Sequence, residues 1–212
     1  PSSRATGEYK DRSITMPLVT SFQKSRLARR IARTLLRLIG WRTHVIPPPS
    51  SRYVLIGAPH TSNWDFIVVL LLMTAECIPI RMMGKESLFR GPLGVFMRSL
   101  GAFPVNRSGK SNLVDQIAEK FDEYEELIIG IAPEGTRNKA SHWRTGFYYI
   151  ALKADVPIVM AYFDYQNKVC GLGPSFHPSG DIQADFMIIR EFYSGILGKY
   201  PQKQGGIELS TK

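Results

Sequence analysis

From residue 53 to residue 197, short apolar runs alternate with longer stretches of helical period, and this alternation restricts the folds open to the chain. Residues 53–58, 78–83, 102–105, 127–132 and 157–165 have strand length and apolar or β-branched composition. Between and after them, residues 64–75, 88–100, 112–124, 145–154 and 185–197 read as helices. Residues 127–132 are apolar throughout, as a strand covered on both faces must be. The expected architecture is α/β, a central, mostly parallel sheet flanked by helices.

Charge divides the chain in two. It carries 27 Lys and Arg against 18 Asp and Glu. Residues 1–52 hold eleven of the basic groups and two of the acids, so residues 53–212 are balanced. Within the basic part, Phe22, Leu27, Ile31, Leu35 and Leu38 recur at helical spacing, with Ala28 and Ile39 beside them. Lys24, Arg26, Arg29, Arg30, Arg33 and Arg37 fill the other positions. The pattern predicts a cationic amphipathic helix over 21–39, stopped by Gly40 and followed by the stiff connector Pro47-Pro48-Pro49. The expected division is a basic tail, amphipathic helix and connector at 1–52 and a globular body at 53–212.

Such a helix can lie on an anionic membrane, bind nucleic acid, or pack its apolar face on the body. On the pattern alone these three readings stay open. The longest apolar run, 66–75, is well short of the roughly 20 residues a spanning helix needs. The first residues hold no secretory h-region, and Cys77 and Cys170 form no paired motif. The expected location is cytoplasmic and peripheral, on the inner face of the membrane. No metal site is expected, because His44, His142 and His177 have no partners at ligand spacing.

Three motifs stand at the ends of apolar runs. Pro59-His60-Thr61-Ser62-Asn63-Trp64-Asp65 lies where a strand gives way to a helix. A carboxylate in the first helical turn can curl back to His60, and a carboxylate-held His is a general base with a fixed tautomer. Read alone, the same residues serve equally well as a capping Asp with an incidental His. Backbone N–H groups at the helix start are candidates for stabilising an oxyanion. Pro133-Glu134-Gly135-Thr136-Arg137 follows the apolar strand and places a hydroxyl and a guanidinium at the sheet's carboxyl edge, where α/β folds bind ligands. Gly84-Lys85-Glu86-Ser87 and Gly101-Ala102-Phe103-Pro104-Val105-Asn106-Arg107 each put a cation beside an apolar run. Gly109-Lys110-Ser111 is not a phosphate-binding P-loop, because the glycine that loop needs is Pro104. No Gly-x-Ser-x-Gly elbow is present, which argues against a serine hydrolase.

Taken together and in order, these blocks resemble the glycerolipid acyltransferase family. Its His-x4-Asp block is matched by His60 and Asp65, its Gly-x-Phe-x3-Arg block by Gly101, Phe103 and Arg107, and its Pro-Glu-Gly-Thr-Arg block by residues 133–137. Its apolar block around a proline is matched by Val156-Pro157-Ile158-Val159. The sequence departs from the family at Pro59, where Asn is common, and ahead of the first block, where the basic helix replaces long hydrophobic ones. The resemblance implies transfer of a fatty acyl group from acyl-CoA or an acyl-carrier protein to the free hydroxyl of a lysophospholipid, first among them 1-acylglycerol-3-phosphate. His60 and Asp65 would be catalytic, and Lys85, Arg107, Glu134, Gly135, Thr136 and Arg137 would bind the acceptor. No bound cofactor is implied, since the thioester is itself a substrate, and a membrane-borne acceptor implies docking on an anionic membrane through residues 21–39, with no nucleic-acid partner expected. The alternatives are the same chemistry on another lysolipid and a non-catalytic membrane-binding module.

Overall fold

A computed structural model of the 212-residue chain describes residues 25–99, 103–105 and 113–209. Its centre is β2 (Arg52–Ala58), buried on both faces because it has neighbours and helices on every side. Alternation sorts its side chains. Val54, Ile56 and Ala58 join one core cluster, and Tyr53 and Leu55 join another across the sheet. β5 (Leu127–Ile131) and β6 (Ile158–Asp164) flank it, both parallel to it. β3 (Ile80–Lys85) and β4 (Phe103–Val105) extend the β5 side in parallel. With β1 (Arg42–Val45) and β7 (Val169–Phe176) at the other edge, the seven strands run in the order β1-β7-β6-β2-β5-β3-β4.

Helices cover both faces, as the alternation predicts. On one side α4 (Leu113–Glu123), α5 (Gly146–Lys153) and α6 (Ile182–Tyr193) bury Ile117, Phe121, Phe147, Tyr148, Phe186 and Ile189. On the other side α2 (Trp64–Glu76) lies against the sheet, and α1 (Arg26–Leu38) packs on α2. A single turn of 3₁₀ helix (Glu86–Phe89) and α3 (Gly91–Ser99) join β3 to β4.

The helix expected over 88–100 starts only at Gly91, after the 3₁₀ turn, and three further elements differ from the sequence expectations. β1 (Arg42–Val45) and β7 (Val169–Phe176) were not expected. β1 is short and mostly exposed, and β7 contains Gly171, Gly173 and Pro174, so neither carries an apolar strand pattern. β7 pairs antiparallel with β6 and parallel with β1, which attaches residues 42–45 to the edge of the sheet. α6 begins at Ile182 rather than 185, because the Asp181 carboxylate accepts the N–H groups of Gln183 and Ala184 and caps the helix there.

α1 packs by a face that the sequence pattern does not single out. Ala28, Ala32 and Leu36 face the body and are buried. Leu27, Ile31, Leu35 and Leu38 point outward, 68%, 50%, 43% and 77% exposed. Small residues let the helix axes approach closely, so the alanine stripe forms the packing face and the large apolar side chains are left outside. Among the described residues no helix is long and apolar enough to cross a membrane.

Candidate active site

Parallel pairing explains why motifs far apart in sequence meet. Ile56 pairs with Ile131 and Ala58 with Tyr162, so β2, β5 and β6 all end at the same edge of the sheet. The chain leaves β2 into Pro59–His60, β5 into Pro133–Arg137, and β6 into Asp164–Tyr165, three loops within reach of one another.

The first motif closes on itself. His60 Nδ1 lies 3.0 Å from Asp65 Oδ2, and that oxygen also accepts the N–H groups of Thr61 and Ser62, both at 2.8 Å. Ser62 Oγ accepts the Trp64 N–H. The helix start therefore satisfies its own donors, and the amides expected to serve an oxyanion at Thr61, Ser62 and Trp64 are already engaged. Asp65 is 1% exposed. Burial pushes its carboxyl up, but the hydrogen bonds from His60, Tyr165 and the Ser62 amide outweigh this and hold it below its ordinary value. With Nδ1 bound to Asp65, Nε2 is the ring nitrogen left to take a proton.

The third motif divides between support and contact. Glu134 is buried, and its Oε2 accepts the His60 main-chain N–H at 3.0 Å. Burial pushes the Glu134 carboxyl up to about 7, against the lowering effect of that bond. Gly135 has φ +65, a left-handed conformation that favours glycine, and the Arg144 side chain packs over it, its Nε 2.7 Å from where a Cβ would stand. Thr136 Oγ1 accepts the Asn138 N–H, and the Arg137 guanidinium donates to Asn63 Oδ1.

Two cavities meet here. A polar one of about 880 Å³ is lined by His60, Asn63, Gly135, Thr136, Arg137 and Lys203. An apolar one of about 550 Å³ runs between the sheet and α2, past Gly57, Phe66, Val69, Met73, Ile80 and Gly130. His60, Asn63, Ala132 and Arg137 line both. Gly57 and Gly130 keep side chains off the cavity wall, and a Cβ at Gly130 would meet Ile80 Cγ2 at 2.7 Å.

The structure thus brings together His60, Asp65, Gly135, Thr136 and Arg137, with Glu134 beneath them. Lys85 is the last residue of β3 and its side chain lies outside the described residues, as does all of Arg107. Sequence reasoning missed Asn63 as the partner of Arg137, Tyr165 as a donor to Asp65 at 2.7 Å, and the segment carrying Tyr200 and Lys203. Tyr200 is held there by its N–H to Thr61 Oγ1. Asn63 stands inside the first motif but nothing local pairs it with Arg137, and Tyr165, Tyr200 and Lys203 lie outside every motif. Among the described residues no three His, Cys, Asp or Glu side chains are grouped to hold a metal ion.

Known proteins resemble this chain in sequence and in fold. The model of a family described as Acyltransferase matches residues 42–163. The human protein named 1-acyl-sn-glycerol-3-phosphate acyltransferase beta is 29% identical over 137 residues, which cover 62% of this chain and 49% of that protein. This chain therefore spans about half the length of that curated relative. The crystal structure of the 1-acyl-sn-glycerophosphate (LPA) acyltransferase PlsC from Thermotoga maritima is similar at a TM-score of 0.54. The match covers 86% of this chain and 89% of that one at 15% identity, a likeness of fold.

Proposed function

This chain belongs to the acyltransferase family, and from that premise we propose that it moves a fatty acyl group from a thioester, acyl-CoA or acyl-carrier protein, to the free hydroxyl of a lysophospholipid. The first acceptor proposed is 1-acylglycerol-3-phosphate, which would give phosphatidic acid. The observation that carries this reading is the junction of the two cavities at His60 and Arg137. A reaction that joins an acyl chain to a phosphate-bearing acceptor needs one apolar and one polar chamber opening on one base. The apolar chamber suits the acyl chain in size and lining. The polar chamber, with Arg137 and Lys203 on its wall, suits a phosphate.

The proposed chemistry is direct. Nε2 of His60 takes the acceptor hydroxyl's proton while that oxygen forms its bond to the thioester carbonyl carbon. The tetrahedral intermediate then collapses, the C–S bond breaks, and the thiolate leaves with the proton from His60. Asp65 holds the ring tautomer and balances the imidazolium. General-base help of this kind is worth roughly 10²–10⁴-fold. Thr136 and Arg137 face the acceptor, and Glu134 acts from beneath by holding the His60 main chain.

We further propose that α1 docks on an anionic membrane surface, the inner face of a cytoplasmic membrane. Its outward Leu27, Ile31, Leu35 and Leu38, fringed by arginines, have the composition of an interfacial helix.

The test is thiol release from palmitoyl-CoA and from an acyl-carrier-protein thioester against a panel of lysolipids, with His60→Ala as control. Release that requires one acceptor and His60 is expected. No release with any pair, from folded protein, would overturn the reading. Transfer by His60→Ala above a tenth of wild type would overturn the base assignment.

A further inference from the structure

The buried Asp65 carboxylate has a second side-chain partner that the His-x4-Asp motif does not contain. Tyr165 donates its hydroxyl to Asp65 Oδ1 at 2.7 Å, while His60 and two amides occupy Oδ2. The two oxygens are thus held separately, which leaves the carboxylate one orientation. A carboxylate excluded from water needs such donors, because a buried anion without them is strongly disfavoured.

Tyr165 is itself well held. Its N–H donates to the Leu197 carbonyl at 2.9 Å. Its ring and the buried Trp41 ring meet in a T-shaped pair, centroids 4.9 Å apart at 89°. Lys168 Nζ sits 5.5 Å from its ring centre and 5.4 Å from that of Trp41. Trp41 in turn donates its N–H to the Leu36 carbonyl at the end of α1. The hydroxyl is therefore fixed by the β6–β7 turn on one side and by the α1–β1 corner on the other.

We infer that Tyr165 is a positioning residue for the proposed reaction, acting through Asp65 to set the orientation and basicity of His60. This rests on the acyltransferase reading. The phenol draws part of the carboxylate's charge away from the ring, so its loss leaves Asp65 to hold the imidazolium more tightly. The ionisable groups around this unit are Glu134, Arg137 and Lys203 near His60, and Lys168, Cys170 and Tyr200 near Tyr165. None of them is altered by Tyr165→Phe, which keeps the ring against Trp41 and removes only the hydroxyl.

The test has two readouts. Nitrogen-15 NMR of the histidine rings, with His60 assigned by the signals lost in His60→Gln, follows the ring through a pH titration in wild type and Tyr165→Phe. Thiol release from palmitoyl-CoA with lysophosphatidate gives kcat and KM over the same pH range. In Tyr165→Phe the His60 titration and the acid limb of kcat are expected to move together to higher pH. The fall in kcat is expected to be about tenfold, the scale of one hydrogen bond to a charged group, with both KM values unchanged. Added to Asp65→Asn, Tyr165→Phe is expected to cost nothing more. A His60 titration that stays in place or moves to lower pH overturns the inference, as does an equal loss in the Asp65→Asn background. If wild type transfers to no acceptor, the proposed activity fails, and the NMR titration still decides the Tyr165–Asp65–His60 relation.

Discussion

The Glu134 carboxylate accepts the main-chain N–H of His60 at 3.0 Å, across 74 positions of sequence. This bond ties the loop after β5 to the loop after β2. The acidic residue of the Pro-Glu-Gly-Thr-Arg block therefore supports His60 from below, and it is Gly135, Thr136 and Arg137 that line the polar cavity.

Burial of Glu134 gives stability a pH signature. Its carboxyl is raised from 4.5 to about 7 in the fold. Between these values the folded chain keeps a proton that the unfolded chain has released. The contribution is fully present below about 4.5 and is lost as pH rises towards 7. A shift of this size corresponds to about 3 kcal/mol. Glu134→Gln keeps an oxygen for the His60 amide and removes the titration. Denaturant unfolding from pH 5 to 8 is expected to give a flatter stability profile for the variant, and equal slopes would refute the assignment.

Arg137 bridges both cavities and holds Asn63. Losing a charged donor to phosphate costs about 1.5–3 kcal/mol. Arg137→Ala is expected to raise the acceptor KM at least tenfold with a smaller effect on the thioester KM. An unchanged KM for lysophosphatidate would assign the phosphate elsewhere.

Gly57 lies on the apolar cavity wall, where an added Cβ would make ordinary contact with the Phe163 ring at 3.6 Å. Gly57→Ala therefore fits, and Gly57→Leu fills the chamber. The leucine variant is expected to lose kcat/KM for long-chain thioesters roughly tenfold relative to short ones, a difference of about 1.4 kcal/mol. A uniform loss across chain lengths would place the acyl group elsewhere.

Ile31 and Leu38 are exposed on α1 and make no part of the core. Replacing both with Asp is expected to leave circular dichroism and thermal unfolding unchanged. Co-sedimentation with phosphatidylglycerol–phosphatidylcholine vesicles should fall sharply. Undiminished sedimentation would rule out this face as the docking surface.

Local chemistry determined much of this protein from sequence alone. The parallel core strands are legible because strands buried on both faces must be apolar throughout, as 127–132 is. The His60–Asp65 contact is legible because it spans one turn at a helix start, a geometry fixed by the backbone of a few residues. The amphipathic helix is legible from its period, although its inward face is not. Which stripe packs depends on how closely α2 approaches, and the small Ala28 and Ala32 won over the larger Leu and Ile. β1 and β7 escaped because a short polar edge and a Gly- and Pro-containing strand gain their structure from pairing rather than composition. Tertiary structure alone decided that Glu134 bonds His60, that Asn63 meets Arg137, and that Tyr165 reaches Asp65 from 100 positions away. Each of these contacts depends on parallel register bringing the ends of β2, β5 and β6 to one edge. Register is set by the packing of the whole sheet, and no local stretch of sequence records it.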